Sequence, residues 1–146
     1  MNMLVAVDFS ETTDVVMKEA EKLALALAGR VWVLHVAPPD PDFIGYDPGP
    51  QAERDYIARQ RHREHCEVQD LARQLKEKGI QATAVLAQGD TAAVILEQAD
   101  QLEADMIILG THGHGAVYHL IAGSVSKGVI KRAVCPVYVV PSRVNR

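Results

Sequence analysis

Short apolar runs alternate with longer amphipathic stretches along the whole chain, the pattern of an α/β domain built on a parallel sheet. Five runs predict strands, at residues 4–7, 31–36, 83–86, 106–109 and 137–140. The first, Leu4-Val5-Ala6-Val7, is apolar at every position, which suits a strand covered on both faces. Four stretches predict helices. Val16, Ala20, Leu23, Ala24 and Leu27 recur at helical spacing, and Gly29 is placed to end that helix as a left-handed C-cap. From residue 51 to 78 the chain is highly charged, but Ile57, Val68, Leu71, Ala72 and Leu75 draw one apolar stripe, and Gly79 closes it. Asp90 or Thr91 caps a third helix running through Leu102. Residues 124–133 form a fourth, with Lys131 and Arg132 complementing its C-terminal dipole. Between the second strand and the long helix, Pro38, Pro39, Pro41, Gly45, Pro48, Gly49 and Pro50 mark an irregular excursion suited to a functional or partner-facing loop.

Composition narrows the class. The 146 residues fit one domain spanning 1–146, and a compact domain of this size buries roughly 70% of the surface its unfolded chain exposes. With 48% hydrophobic and 23% charged residues the chain has the makings of one ordinary core. No apolar run approaches the ~18–20 residues of a membrane span, and the first eight residues read as a strand rather than a leader. Cys66 and Cys135 stand far apart with no CxxC partner, so reduced thiols and a cytoplasmic setting are expected. A net charge of −4, with no Lys/Arg stripe interleaved with aromatics, argues against a nucleic-acid partner.

The chemistry concentrates in Gly110-Thr111-His112-Gly113-His114-Gly115, an apolar stretch, and then Gly123-Ser124-Val125-Ser126. Glycine lets backbone N–H groups approach a ligand closely, and a helix N-terminus adds unpaired donors and a positive dipole end, a combination suited to phosphate. In a doubly wound sheet, ligands bind beyond the carboxyl ends of the strands where the strand order reverses. That brings the loops after strands one and four together, with Asp8 and the glycine loop facing one cleft. On spacing alone two readings stand level: a phosphate cradle, or glycines that only shape a turn with Ser124 only capping a helix.

Other clusters carry less. His62, His65 and Cys66 stand at i, i+3 and i+4 on the long helix, where a solvated face outweighs a metal site lacking a third strong ligand. His112 and His114 occur as His-Gly-His-Gly, the wrong order and position for a nucleotidyltransferase signature. Gly-x4-Gly-Lys-Ser/Thr is absent, which excludes a P-loop enzyme. Ser10 and Ser124 lack a base and an orienting acid in their sequence context, and helix capping explains each more simply.

Gly110-x2-Gly113-x9-Gly123-Ser124 resembles the ATP-binding motif of the universal stress protein family. Val5-Ala6-Val7-Asp8-Phe9-Ser10 resembles that family's opening strand and loop, Leu34-His35-Val36 its second strand and Cys135-Pro136-Val137 its ending. The resemblance implies a five-stranded parallel sheet of order 3-2-1-4-5 with helices on both faces, a homodimer and a bound adenine nucleotide. By motif position, Ala6, Asp8 and Val36 would surround adenine and ribose. Gly110, Gly113, Gly123, Ser124, Val125 and Ser126 would hold ribose and phosphates, with Asp8 available to Mg²⁺ or ribose. The family often has Arg or Lys after the second glycine, where this chain has His114, a departure that leaves ATP against AMP or ADP open. The function so implied is a stress-response or signalling protein whose bound state is its output. A slow ATP-hydrolysing or nucleotide-transferring enzyme, and a dimerisation module without nucleotide, are the alternatives. No general base is nominated by the motif.

Overall fold

The computed structural model describes residues 1–39, 51–111 and 123–141. Five strands, β1 (Asn2–Val7), β2 (Arg30–Ala37), β3 (Ala82–Gln88), β4 (Met106–Gly110) and β5 (Val137–Val140), form one sheet of order β3-β2-β1-β4-β5. Every pairing is parallel, with Val7 opposite His35, Val36 opposite Ala87 and Val5 opposite Ile108. The helices are α1 (Thr13–Leu27), α2 (Gln51–Glu77), α3 (Thr91–Gln101) and α4 (Ser124–Arg132). This single α/β domain has the expected strand order.

Strand alternation divides the core in two. Met3, Val5, Val7, Val31, Val33 and Ile108 pack with α1 and α2, whereas Leu4, Leu34, Val36, Ile107 and Leu109 pack with α3 and α4. Leu4, Leu34 and Ile107 are fully buried, each removing from water about 1.5–3 kcal/mol worth of apolar surface. The strand order reverses between β1 and β4, whose carboxyl ends lie side by side at one end of the sheet.

Helix ends follow local chemistry, with two departures from expectation. Asp90 is the N-cap of α3, its carboxylate accepting from Ala93 N at 3.1 Å. Gly79, with φ of +83°, closes α2 as expected. The left-handed residue after α1, however, is Ala28 (φ 51°, ψ 44°), not Gly29. Gly29 serves space instead: a Cβ there would stand 2.7 Å from Met3 Cε and 3.4 Å from Met1 O. Ser10 likewise is no cap, since Thr12 holds the N-cap position of α1 while Ser10 O accepts from Thr13 N at 3.0 Å.

Candidate cleft at the strand reversal

The candidate site lies where the carboxyl ends of β1, β2 and β4 adjoin the start of α4. Asp8 follows β1 directly and is half-buried. Its Oδ1 accepts from Ser10 N at 2.9 Å, an Asx turn that folds the loop back toward α1. Ala6 and Val36 both pack against the α3/α4 cluster, so they lie on the sheet face that α4 covers. Gly110 ends β4, and Thr111 continues the ladder by donating from its N to Val140 O at 3.0 Å.

Across the gap, Gly123 is the N-cap of α4, with extended backbone (φ −72°, ψ 168°), and Ser124 is the first helical residue. The expectation that Ser124 caps the helix is thereby corrected. Its side chain is exposed and no side-chain cap bond forms. The turn is closed from within by Gly123 N donating to Thr111 O at 2.5 Å. The buried Ser126 hydroxyl adds to it, 3.0 Å from Gly123 O and 3.3 Å from Thr111 O. Helix geometry leaves the N–H groups of Ser124, Val125 and Ser126 without partners inside α4, at the positive end of its dipole. The arrangement offers backbone donors and one exposed hydroxyl, a chemistry that suits an anion. Gly113 and His114, with His112 and Gly115, fall outside the described residues, as does the proline-rich excursion from Asp40 to Pro50.

Of the remaining candidates, His62 and Cys66 lie 3.7 Å apart (Nε2 to Sγ) on the exposed side of α2. Among the described residues no group of three His, Cys, Asp or Glu side chains could hold a metal. Cys66 and Cys135 are unbridged.

One constellation goes beyond the sequence reading. His35, buried under α2, sets Nδ1 2.9 Å from Val7 O and Nε2 3.5 Å from Glu64 Oε2. Glu64 in turn lies 3.2 Å from Arg61 Nη1, and Arg61 Nη2 donates to Pro38 O at 2.8 Å. Two signals pointed here: a histidine inside an otherwise apolar strand, and a glutamate falling seven residues after Ile57 and four before Val68, on the apolar stripe of the long helix.

At the far edge of the sheet β5 pairs with β4. Tyr138 donates from its hydroxyl to Glu19 Oε2 at 2.9 Å, and that hydrogen bond, with the charge of Glu19, raises the phenol above its ordinary range. Before β5 in the chain, Ile130 on α4 is half-exposed and Val134 is 99% exposed.

The universal stress protein family model matches residues 1–141. A Thermus aquaticus relative, named as the universal stress protein in the QAH/OAS sulfhydrylase 3' region, is 34% identical over 139 residues, covering 94% of this chain and 96% of its own. Among solved structures, universal stress protein UspA from Lactobacillus plantarum superposes with a TM-score of 0.83 at 21% identity, covering 96% of this chain and 97% of that one. Two others are described with ligands. A universal stress protein from Archaeoglobus fulgidus in complex with dAMP has a TM-score of 0.64 at 20% identity, covering 96% of this chain and 97% of that one. A universal stress protein in complex with cAMP has a TM-score of 0.68 at 17% identity, covering 98% of each chain. With the family model spanning nearly all of its length and a relative sharing a third of its residues, this chain belongs to the universal stress protein family.

Proposed function

We propose that this chain is an adenine-nucleotide-binding universal stress protein, acting in stress response or signalling through its bound state. The observation that carries the reading is the meeting, at the strand reversal, of an acid after β1 and a glycine-started helix after β4. Adenine and ribose would lie along Ala6, Asp8 and Val36. The phosphates would meet Gly113, the Ser124 hydroxyl, and the N–H groups of Ser124, Val125 and Ser126, while Gly110 and Gly123 keep the backbone open to approach. The dAMP and cAMP complexes of two structural neighbours support an adenine ligand. ATP is the favoured nucleotide by its motif, with Mg²⁺ accompanying the phosphates and AMP or ADP as the competing ligands. The motif nominates no obvious water-activating base, and a cradle that held ground state and transition state alike would not raise the rate, so turnover well below the ~1 s⁻¹ of ordinary enzymes is expected. The functional unit in this reading is one domain over 1–146 that pairs as a homodimer through β5, whose edge Tyr138 flanks. Titration calorimetry with ATP, ADP and AMP, each with and without Mg²⁺, tests the proposal: binding of at least one is expected. No heat from any of them with folded protein would leave the dimerisation-module reading in its place.

A further inference from the structure

Helix α2 is rich in charge, yet one of its acids faces inward. Glu64 is 9% exposed, the one carboxylate among the buried described residues. A buried acid is costly to keep compared with an apolar side chain of the same volume, so its partners matter. They are His35 on β2 and Arg61 one turn earlier on α2. His35 reaches the end of β1 through Nδ1, and because a carbonyl only accepts, Nδ1 carries the proton of that bond, while the contact of Nε2 with the Glu64 carboxylate is an ion pair when the ring holds its second proton there. Two residues after Val7, Phe9 has φ of +60°, a left-handed backbone that a bulky residue adopts only where its surroundings impose it. Its surroundings include the His35 ring, centroid to centroid 4.2 Å with the planes inclined by 30°. Asp8 lies between the two residues that His35 holds.

We propose that His35 and Glu64 are positioning residues for Asp8: Glu64 orients the His35 ring, which fixes Val7 and Phe9 on either side of the acid and so sets the floor of the cleft. Arg61 extends the same relay outward to the loop after β2 by its exposed bond to Pro38 O, so a chain of polar groups that starts buried at His35 and Glu64 reaches both loops beside the proposed site. What Asp8 touches there rests on the nucleotide reading. That the loop is held by His35 does not.

Two measurements separate these. In nucleotide-free protein, His35→Ala is expected to speed amide exchange at Ser10 and Thr13 at least fivefold while Val5 and Val33 in the sheet centre are unchanged. His35→Asn, whose amide can still reach Val7 O, should keep more of the protection, and Glu64→Gln should fall between. If His35→Ala does not fold, the Asn and Gln variants carry the same comparison. With AMP as the probe, His35→Ala is expected to weaken binding about fivefold in the wild-type background and not at all when Asp8→Asn is already present. Loop exchange within twofold of wild type in every folded variant overturns the inference. So does an affinity loss that persists undiminished with Asp8→Asn, because packing damage alone would behave that way. Should wild type bind none of AMP, ADP or ATP, the nucleotide reading falls, and the exchange comparison still decides whether His35 holds the Asp8 loop.

Discussion

The two serines at the start of α4 should separate cleanly when each is replaced by alanine. Ser126 is 2% exposed, and its single hydroxyl proton is shared between Gly123 O and Thr111 O. Both carbonyls keep a second donor, Lys127 N at 3.0 Å and Gly123 N at 2.5 Å respectively. Ser126→Ala thus removes one net hydrogen bond, about 1 kcal/mol, without leaving a buried acceptor bare. The helix preference of alanine returns up to about 0.5 kcal/mol, so the net loss is about 0.5–1 kcal/mol. At about 2.1 cal/mol/K of unfolding entropy per residue, that lowers Tm by about 2–3 °C. Ser124 is exposed and makes no cap bond, so Ser124→Ala should leave Tm unchanged or slightly raised. Its expected cost falls on the ligand, roughly a factor of five in ATP affinity for one lost hydroxyl contact of about 1 kcal/mol. Differential scanning calorimetry and ATP titration on the two variants read both axes. A Ser124→Ala variant destabilised as much as Ser126→Ala, with ATP affinity unchanged, would refute the division of roles argued from the turn.

Gly79→Ala isolates backbone strain, because nothing lies within 4 Å of a Cβ at that site while φ is +83°. A loss of about 1 kcal/mol, or about 3 °C in Tm, is expected, with Gly79→Asn milder, and an unchanged melting curve would contradict it. For the dimer, Val134→Lys adds a charge at a fully exposed apolar position near β5 without touching the core; sedimentation should show at least a tenfold weaker association, and a wild type that stays monomeric at tens of micromolar counts against pairing through β5.

The sheet was legible because parallel strands covered on both faces are nearly continuous apolar runs, and five such runs separated by helical spacing allow few arrangements. The strand order came from the resemblance rather than from the pattern, since periodicity says which face a residue takes and not which strand lies beside it. Helix ends were legible at Asp90, where a side chain makes the cap, and at Gly79, where a glycine takes the left-handed turn, but not after α1. Nothing in the sequence favours Ala28 over Gly29 for the left-handed position; the glycine is there because Met3 needs the room. The relay of His35, Glu64 and Arg61 was hidden for a different reason. A charge on an apolar stripe is visible in one dimension, but whether it is satisfied depends on a strand thirty residues away. Only the fold brings His35 Nε2 to within 3.5 Å of Glu64.

The two readings of the glycine segment that stand level on spacing are compatible with each other at the start of α4. Turn-shaping and phosphate-holding are rivals only if the same groups must do both. Here the groups that shape the turn point inward: Gly123 N and the Ser126 hydroxyl bond Thr111 O, tying the end of β4 to the start of α4. The groups with no partner inside the helix are the next three N–H donors and the exposed hydroxyl of Ser124. A turn held shut on its inner side presents its outer donors at fixed positions, which lowers the ordering cost an anion would otherwise meet on binding. Tightening the turn and presenting the donors are consequences of the same two residues, Gly123 and Ser126, and a Gly123→Val variant strikes both. Its side chain would intrude where a phosphate approaches and would stiffen the N-cap, so its loss of ATP affinity should exceed that of Ser124→Ala. An affinity equal to wild type in folded Gly123→Val would mean that no ligand approaches the backbone there.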